Sequence, residues 1–364
     1  MHTPDSNITP VDLDNKAALS LAIKQQAYSE GFNKVGIVKA EPLNDEGRRL
    51  EEWLARGYEA SMKWMLREPA KRANPLEFFP EAKSIIVVAA NYYTPHEHED
   101  SSATGKISRY AWGDDYHDVI GEKLRSLLSW IESIGPGVKG KVCVDIQPVM
   151  DKAWAVRAGL GWLGKHTNLI TPEFGSWVFI GELLLNIALE FDSERIDDHC
   201  GTCTLCIDAC PTDAITEPYV LDSNKCLSYA TIELRSDSLP VEIESKLSGW
   251  LYGCDICQDV CPWNRKAPTT DKLEFQPREG LLNPVLAWLA EISEEEFRQK
   301  FRGSPVKRAK RNGLRRNALI AIGNRGNRSH LPFVTRALED PDPTISDAAK
   351  WAQQQIEKRG KFAD

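Results

Sequence analysis

Long apolar runs are missing from this 364-residue sequence. None approaches the roughly 20 consecutive apolar residues that a membrane-spanning helix requires. The N-terminal segment MHTPDSNITPVDLDNK also lacks a twin-arginine signal and lacks a cationic start followed by an apolar run, so no secretory leader is indicated. We therefore expect a cytoplasmic protein with no membrane partner, in which disulfide bonds are disfavoured.

Acidic residues are missing from one stretch of an otherwise acidic chain. The net charge of −8 by itself disfavours a polyanionic partner, yet residues 298–328 contain eleven Lys or Arg and no Asp or Glu. A solvated helix face is the structural alternative, but sign segregation this complete favours a surface that binds phosphates. The residues expected to neutralise a nucleic-acid backbone are Lys307, Arg308, Lys310, Arg311, Arg315 and Arg316.

Cysteine is scarce outside one segment, since eight of the nine cysteines lie between residues 200 and 261. They form two arrays, each of which ends in Cys-Pro: Cys200, Cys203, Cys206 and Cys210, then Cys226, Cys254, Cys257 and Cys261. Three thiolates at a spacing of three residues wrap one 4Fe–4S cluster, and the fourth, before proline, ligates the other cluster. The spacing thus predicts one cluster on Cys200, Cys203, Cys206 and Cys261, and a second on Cys210, Cys226, Cys254 and Cys257.

Structural zinc is the main alternative for closely spaced cysteines. A zinc ion takes four ligands and has no use for a third cysteine at the same spacing or for the repeated Cys-Pro ending. Disulfide bonds would require an oxidising compartment. Cys143 lies in an apolar run and is interpreted as a buried, inert thiol. The arrays therefore predict electron transfer through two clusters.

Helical and strand patterns alternate ahead of the cysteine arrays. We predict strands at 84–90, 141–146 and 176–186, and helices at 17–31, 116–134 and 151–159. The chain after residue 268 is wholly helical, with a HEAT-like helix pair at 331–337 and 345–356 and a possible earlier helix at 313–322. The predicted fold is α+β or α/β, with an α/β domain at 1–196, a ferredoxin-like two-cluster domain at 197–268 and a HEAT-like helical domain at 269–364.

Four motifs indicate what the electrons are used for. They are ISRYAWGDDYH at 107–117, AGLGWLGKHT at 158–167, CLSYATIE at 226–233, and GCDICQ at 253–258 with CPWN at 261–264. Their combination resembles the epoxyqueuosine reductases, cobalamin-dependent iron–sulfur enzymes of queuosine synthesis in tRNA. The resemblance covers nearly the whole chain. The cysteine arrays occur in many ferredoxins, but this combination of motifs is specific.

The resemblance implies a reaction, cofactors and partners. The epoxide oxygen of epoxyqueuosine at the anticodon wobble position is removed to give queuosine, with electrons from an external low-potential donor passing through the clusters to cobalamin. The resemblance also implies that the cobalamin is base-off. A lower histidine ligand is not expected, because the DxHxxG signature of methyl-transfer cobalamin proteins would require glycine where Ile120 stands. The expected partner is the anticodon stem-loop of tRNA, the helical domain at 269–364 is expected to bind it, and the chain is expected to be a monomer.

Asp145 is the candidate general acid, because the departing oxygen must be protonated. It is predicted to close the strand at 141–146, where burial would raise the pKa of its carboxyl and keep it protonated near neutral pH. A turn aspartate before Pro148 is the structural alternative, and Asp151 is interpreted as the cap of the next helix. The predicted cofactor contacts are Ser108, Arg109, Tyr110, Tyr116, His117, Asp145, Lys165, His166, Thr167 and Ser228.

Two other functions are compatible with the cysteine arrays. A corrinoid iron–sulfur enzyme of the reductive dehalogenase type, acting on a small molecule, is the alternative, but such enzymes are typically exported with a twin-arginine leader and have no need of a basic helical segment. A simple electron carrier is usually short and lacks the long α/β region that precedes the cysteines here. The lack of a twin-arginine leader and the presence of the basic segment favour a tRNA substrate.

Overall fold

The structure is a computed structural model, and it describes residues 15–192, 195–235 and 238–360. The strands are β1 Lys34–Lys39, β2 Ser84–Asn91, β3 Lys106–Ile107, β4 Gly140–Cys143, β5 Trp162–Leu163, β6 Leu169–Ile170, β7 Val178–Leu185, β8 Ile215–Glu217, β9 Val220–Leu221 and β10 Trp250–Tyr252. The α-helices are α1 Lys16–Ser29, α2 Asn44–Ala55, α3 Pro69–Ala73, α4 Pro75–Phe78, α5 Tyr116–Ile134, α6 Asp151–Arg157, α7 Leu205–Asp208, α8 Leu227–Ile232, α9 Val241–Glu244, α10 Ile256–Asp259, α11 Leu286–Glu291, α12 Glu294–Lys300, α13 Lys310–Arg325, α14 Leu331–Ala337 and α15 Pro343–Gly360.

A four-stranded antiparallel sheet, in the order β1-β2-β7-β4, organises the first half of the chain. The central strand β2 is buried along its whole length, because helices cover both faces of the sheet. Side chains alternate between the faces: Ile86 and Val88 pack with α1 and α5, whereas Ile85 and Val87 pack with α6. The mixed α and β fold predicted from the sequence is confirmed.

The strand predicted at 141–146 ends three residues early, at Cys143. Asp145 therefore lies in a tight bend, where its φ of +57° falls in the left-handed region that side chains other than glycine rarely adopt. The Ile146 N–H closes the bend by donating to the Val144 carbonyl at 2.6 Å. Strained backbone of this kind is retained where the surrounding structure enforces it, often at functional sites.

The cysteine-rich part has short elements, such as α7 and α10 with four residues each. Its strand β10 pairs in parallel with β3 of the first half, and one hydrophobic cluster joins Ile107 and Trp112 to Leu251 and Leu319 of α13. The segments predicted as separate domains therefore share a sheet and a core. In the C-terminal part α13 packs against α11 and α15, and α14 packs against α15. Within the described ranges, no helix combines the length and the apolar content needed to cross a membrane.

Candidate active site

The thiols of the two arrays lie in two groups that cross between the arrays. Burial raises the pKa of Cys206 to about 11, and the nearby thiols of Cys261, Cys200 and Cys203 add to the increase. Burial likewise raises the pKa of Cys254 and Cys257, and both lie close to Cys226. Cys210, from the first array, contributes to the raised pKa of Cys226. The two groups also adjoin each other, because Cys206 is close enough to raise the pKa of Cys257.

Hydrogen-bond donors point at the sulfur atoms of Cys226 and Cys210 in the second thiol group. The backbone N–H groups of Ser228 and Tyr229 point at the Cys226 sulfur and lower its pKa against the larger effect of burial, and the Ala214 N–H lies 3.2 Å from the Cys210 sulfur. All nine cysteines, which lie within the described residues, are free thiols. Eight thiols in two groups of four, with N–H donors aimed at sulfur, fit two 4Fe–4S clusters.

Asp145 joins a chain of polar side chains that begins at α5. Asp115 caps this helix, and its Oδ1 accepts from the backbone N–H of His117 at 3.2 Å and lies 2.7 Å from His117 Nδ1. On its other side, His117 Nε2 is 3.5 Å from Asp145 Oδ2, which also accepts from the Tyr116 hydroxyl at 2.5 Å. Lys307 Nζ completes the chain, 2.7 Å from Asp115 Oδ2.

The charges in this network lower the pKa of Asp145, which the sequence analysis predicted to be raised. Burial raises the pKa of its carboxyl, as predicted, but hydrogen bonds from His117 and Tyr116 and the positive charges of His117 and Lys152 outweigh burial, so the pKa lies below its usual value. Burial lowers the pKa of His117, yet Asp115 and Asp145 together raise it to about 9. The prediction that Asp145 is protonated at neutral pH is therefore wrong, and His117 carries the proton.

Asp145 is close to Lys152, which in turn is close to the second thiol group. The Asp145 side chain is 61% exposed, although desolvation by surrounding protein is the largest effect on its pKa. Lys152 shares this environment: burial lowers its pKa, while Asp145, Cys257 and Cys226 raise it. Its ammonium donates to the Thr167 carbonyl at 2.9 Å. Sequence reasoning missed Lys152, since no pattern around it signals a functional residue.

The loop at 159–167 contributes to the same region. His166 is buried, and its Nε2 has no hydrogen-bond partner among the described residues. Burial lowers the pKa of His166 to about 4, so the ring is neutral and has one unused nitrogen. Thr167 has a φ of +66°, and Ser228 lies half-buried beside Cys226. A buried nitrogen without a partner is a feature that a bound polar ligand can satisfy.

Three other predicted cofactor residues have hydrogen-bond partners within the protein. The Ser108 hydroxyl donates to buried Asp255. The Arg109 guanidinium donates to the carbonyls of Thr94 and His96 and lies 4.5 Å from the ring centroid of Trp112. The Lys165 ammonium donates to the carbonyls of Gly201 at 2.6 Å and Cys203 at 2.9 Å. The charged groups of Arg109 and Lys165 thus hold loops together, and their contacts with a cofactor stay predictions.

Tyr110 packs beside the site against two other tyrosine rings. Its ring lies 6.1 Å from that of Tyr116 and 6.0 Å from that of Tyr252, measured between centroids. Burial raises the pKa of Tyr110 well above its ordinary value. Tyr116 itself stacks between His117 and Phe179, at 4.1 and 4.6 Å. These aromatic contacts fix the ring whose hydroxyl bonds Asp145.

Two of the predicted phosphate-binding arginines are buried. Arg315 donates to the Ala290 carbonyl at 2.9 Å and pairs with Asp340 at 2.7 Å. Arg316 donates to the carbonyls of Leu234 at 2.6 Å and Ala230 at 2.8 Å. The prediction that Arg315 and Arg316 contact phosphates is wrong, because both guanidinium groups join α13 to its neighbours.

The remaining predicted phosphate-binding cations differ in their exposure and in their partners within the protein. Lys307 and Arg308 are exposed but form ion pairs with Asp115 and Glu233. Arg311 is half-buried, and its Nε donates to the Ile292 carbonyl at 2.8 Å. Lys310 is exposed. Fewer of the predicted cations are therefore exposed than the sequence indicated. One of the exposed cations, Lys307, belongs to the Asp145 network through its ion pair with Asp115.

The raised pKa of His117 predicts that the protein loses stability in mild alkali. Protonated His117 stabilises the folded state fully below its ordinary pKa of 6.5, and this stabilisation is lost as the pH rises through about 9. At about 1.4 kcal/mol for each pKa unit, the expected loss is up to about 3 kcal/mol. Urea unfolding at about pH 6 and about pH 10 measures it. His117→Gln, which cannot titrate, should lack this component, and equal pH dependence in both proteins would refute the assignment.

The fold and the site define an iron–sulfur oxidoreductase. Residues 72–146 match the family model of epoxyqueuosine reductase QueG, DUF1730, and residues 199–264 match that of a 4Fe-4S double cluster binding domain. The chain is 52% identical over 281 residues to an epoxyqueuosine reductase from Synechocystis sp., covering 77% of this chain and 96% of that protein. It is 46% identical over 306 residues to one from Cellulophaga algicola, covering 84% and 98%.

Solved structures agree with these sequence relatives. An epoxyqueuosine reductase with an epoxyqueuosine-modified tRNA-Tyr stem loop superposes with a TM-score of 0.88 at 34% identity, covering 93% of this chain and 90% of that chain. The enzyme from Bacillus subtilis, with its catalytic aspartate loop swung out of the active site, superposes with a TM-score of 0.87 at the same identity and coverage. This chain belongs to the epoxyqueuosine reductase family, which confirms the resemblance found in its motifs.

Proposed function

We propose that this chain removes the epoxide oxygen of epoxyqueuosine at the wobble position of tRNA, with Asp145 donating a proton to the departing oxygen. The epoxide takes up two electrons and two protons, and the products are the alkene of queuosine and water. When bound, the two clusters carry single electrons, and base-off cobalamin supplies a strongly reducing centre for carbon–oxygen cleavage. The observation that carries the proposal is that Lys152 lies close both to Asp145 and to the thiols of Cys226 and Cys257, all of which raise its pKa. The space around these groups is the proposed substrate recess.

The two thiol groups support an assignment of the cluster ligands. Cys200, Cys203, Cys206 and Cys261 would hold one cluster, and Cys210, Cys226, Cys254 and Cys257 the other, since these sets are neighbours in the fold. For cobalamin the recess supplies the unpartnered Nε2 of His166 and the half-buried Ser228 and Thr167. These groups suit the amide-bearing periphery of a corrin, which presents many hydrogen-bond donors and acceptors.

Asp145 acquires its proton from its own network in this proposal. Substrate that fills the recess displaces water from the carboxylate, and desolvation raises the pKa of a carboxyl. The proton on His117, 3.5 Å away, then moves to Asp145 and on to the departing oxygen, while Asp115 holds the imidazole in place. Tyr116 orients the same carboxylate oxygen. In the Bacillus subtilis relative the catalytic aspartate loop is swung out of the active site. That structure supports a catalytic role for Asp145 and movement of the bend that carries it.

The tRNA partner is supported by the relative solved with a modified tRNA stem loop. Exposed cations near the recess would hold the backbone phosphates, which positions the RNA without reading its sequence. Unpaired loop bases are readily splayed out of the stack, so the modified base can enter the recess. The ion pair between Lys307 and Asp115 places one of these cations next to the proton-donating network.

Charge reversal at Lys310 tests the phosphate-binding surface. Lys310→Glu should weaken tRNA binding by roughly tenfold at low salt and reduce the slope of log affinity against log salt by about one. Fluorescence anisotropy with a labelled stem-loop at several salt concentrations measures both quantities. Lys83→Glu is the matched control, because Lys83 is also exposed but lies outside the basic segment. Equal affinities for the two variants would exclude Lys310 from the interface.

One incubation tests the proposed reaction itself. Protein with anaerobically reconstituted clusters is mixed with cobalamin, a reductant and tRNA carrying epoxyqueuosine, and the nucleosides of the digested tRNA are then analysed. Queuosine should form only when protein, cobalamin and reductant are all present. If epoxyqueuosine persists in the complete mixture, the proposed function is wrong.

A further inference from the structure

A short hairpin brings Lys165 to the first cysteine array. Lys165 lies between strands β5 and β6, which pair antiparallel. Its ammonium donates to the carbonyls of Gly201 at 2.6 Å and Cys203 at 2.9 Å. Both carbonyls belong to a turn that the Cys203 N–H closes by donating to the Cys200 carbonyl at 3.0 Å. The ammonium therefore lies on the turn that carries two ligands of the cluster proposed for the first array, which we call the first cluster.

The ammonium of Lys165 is buried without an acidic partner in direct contact. The residue is only 8% exposed. Within the described ranges its hydrogen bonds go to the neutral carbonyls of Gly201 and Cys203, and it forms no ion pair. Carbonyl oxygens satisfy N–H donors but supply no opposite charge, and burial of a charge is costly unless the charge is paired. The position of Lys165 therefore requires an anion beside this turn.

Asp198 is an acidic residue near the turn, but it is exposed and already has two donors. Its Oδ1 accepts from the Cys200 N–H at 2.7 Å, and its Oδ2 accepts from the Tyr219 hydroxyl. Burial raises the pKa of Asp198, but these hydrogen bonds and the charge of Lys165 together lower it. Because water and salt screen an exposed charge, Asp198 compensates the buried ammonium only in part.

The same hairpin brings a second unpaired donor to the first array. Trp162 packs with Cys261 and Cys200 in one apolar cluster, and its ring centroid lies 4.8 Å from that of Trp263. Its indole N–H is buried and has no acceptor among the described residues. Buried donors are normally satisfied in native proteins, and the sulfur atoms of a cluster accept such hydrogen bonds. The unpaired ammonium and the unpaired N–H therefore both indicate an anionic acceptor at this place.

We propose that Lys165 is the buried counter-ion of the first 4Fe–4S cluster and raises the potential at which that cluster accepts an electron. Four thiolates outweigh the positive charge of the iron–sulfur core, so the ligated cluster is an anion, and one added electron makes it more negative. A fixed cation in a site that excludes water stabilises the more negative form. In this step one electron passes from the external donor to the cluster, the donor is oxidised, and no bond is made or broken.

The inference deepens the proposed function and rests on the part of it that places a cluster on the first array. The sequence analysis counted Lys165 among the cofactor contacts, and the loop that carries it now has the first cluster as its cofactor. Lys165 acts on the epoxide only through the supply of electrons. Its role can therefore be measured without tRNA and without cobalamin.

Redox titration of the full-length, cluster-loaded protein, followed by electron paramagnetic resonance, tests this role. Lys165→Met removes the charge and keeps an unbranched side chain. The equilibrium constant for one-electron reduction of the first cluster should fall at least about tenfold, which lowers its potential by about 59 mV, while that of the second cluster should change less than about threefold. Lys165→Arg keeps the charge and should stay within about threefold of wild type. Lys225→Met is the matched control, because Lys225 precedes Cys226 but is exposed, so water screens its charge.

Cys254→Ala identifies the cluster that responds. Cys254 belongs to the second array, and it is a ligand of the second cluster whichever way Cys210 and Cys261 are assigned. This variant therefore keeps the first cluster alone. Lys165→Met in this background should lower the one potential that remains, and an unchanged potential there would contradict the proposal.

Lys165→Gln separates the charge from the hydrogen bonds, since its amide can still donate to carbonyls but is neutral. Its first-cluster potential should fall as in Lys165→Met, and a wild-type potential in either neutral variant would overturn the counter-ion. If both neutral variants fail to hold the first cluster, Lys165→Arg decides: a retained cluster at the wild-type potential supports the proposal, and loss of the cluster overturns it. Iron analysis of the wild type keeps the two failures apart. Fewer than about eight iron atoms per chain would refute the proposed clusters, whereas a full iron content with an unmoved potential would refute only the role of Lys165.

Discussion

Asp145→Asn should lower the rate of queuosine formation by about 10²- to 10⁴-fold, which is the range that general acid catalysis contributes. Asparagine preserves the size of the side chain and still accepts a hydrogen bond from Tyr116. It has no acidic proton to give to the departing oxygen. Because Asp145 is not a cluster ligand and lies outside the basic segment, iron content and tRNA affinity should be unchanged. Single-turnover nucleoside analysis with saturating enzyme measures the rate.

A nearby carboxylate provides the control for this substitution. Asp114 precedes the network in sequence, is exposed and approaches Arg278 at 3.9 Å, so Asp114→Asn removes a charge without touching Asp145. Its rate should match that of wild type. The wild-type rate should also decline as the pH rises above about 9, because His117, whose pKa is raised to about 9, then loses the proton that it passes to Asp145. An Asp145→Asn variant as fast as Asp114→Asn would remove Asp145 from the reaction.

Cys210→Ala should remove the second cluster, whose other three ligands come from the second array, and should abolish queuosine formation. Cys210 belongs to the first array by sequence, but its thiol lies with that of Cys226, whose neighbours are Cys254 and Cys257. The iron content should fall from about eight to about four atoms per chain, because one 4Fe–4S cluster is lost and the other keeps its four ligands. Iron analysis and electron paramagnetic resonance of the reduced protein measure this loss. Cys143→Ala should keep both clusters, since Cys143 is buried away from both groups.

Double substitutions show which cluster Cys210 serves. Cys210→Ala combined with Cys254→Ala removes two ligands of the same cluster, so about four iron atoms should remain. Cys210→Ala combined with Cys203→Ala removes one ligand from each cluster, and nearly all iron should be lost. If Cys210 instead belonged with its own array, these two outcomes would be exchanged. The crossed arrangement would then be wrong.

The regular elements near the site were predictable because each has a strong local signal. The β-branched run at 84–90 marks β2, and Asp115 caps α5 so clearly that the predicted helix at 116–134 matches the observed one. The spacing of the cysteines likewise predicts two crossed ligand sets, and this assignment stays a prediction. These features depend on neighbouring residues in the sequence or on the fixed spacing of cluster ligands, so they can be predicted without the fold.

The failures concern charges whose partners are distant in sequence. The ionisation of Asp145 depends on His117, which reaches it from the start of α5. Arg315 and Arg316 looked like surface cations, yet the acceptors for Arg316 are carbonyls of Leu234 and Ala230, in another part of the chain. A run of basic residues has the same appearance whether its side chains are exposed or buried, so burial could be read only from the fold.

Electron counting in a single turnover tests the central claim most directly. The protein, loaded with clusters and cobalamin, is reduced with a measured number of electrons and mixed anaerobically with tRNA carrying epoxyqueuosine. Wild type should form one queuosine for every two electrons consumed. Asp145→Asn should accept the same electrons through intact clusters and form almost none. Queuosine from Asp145→Asn at the wild-type rate and yield per electron would contradict the assignment of Asp145 as the proton donor.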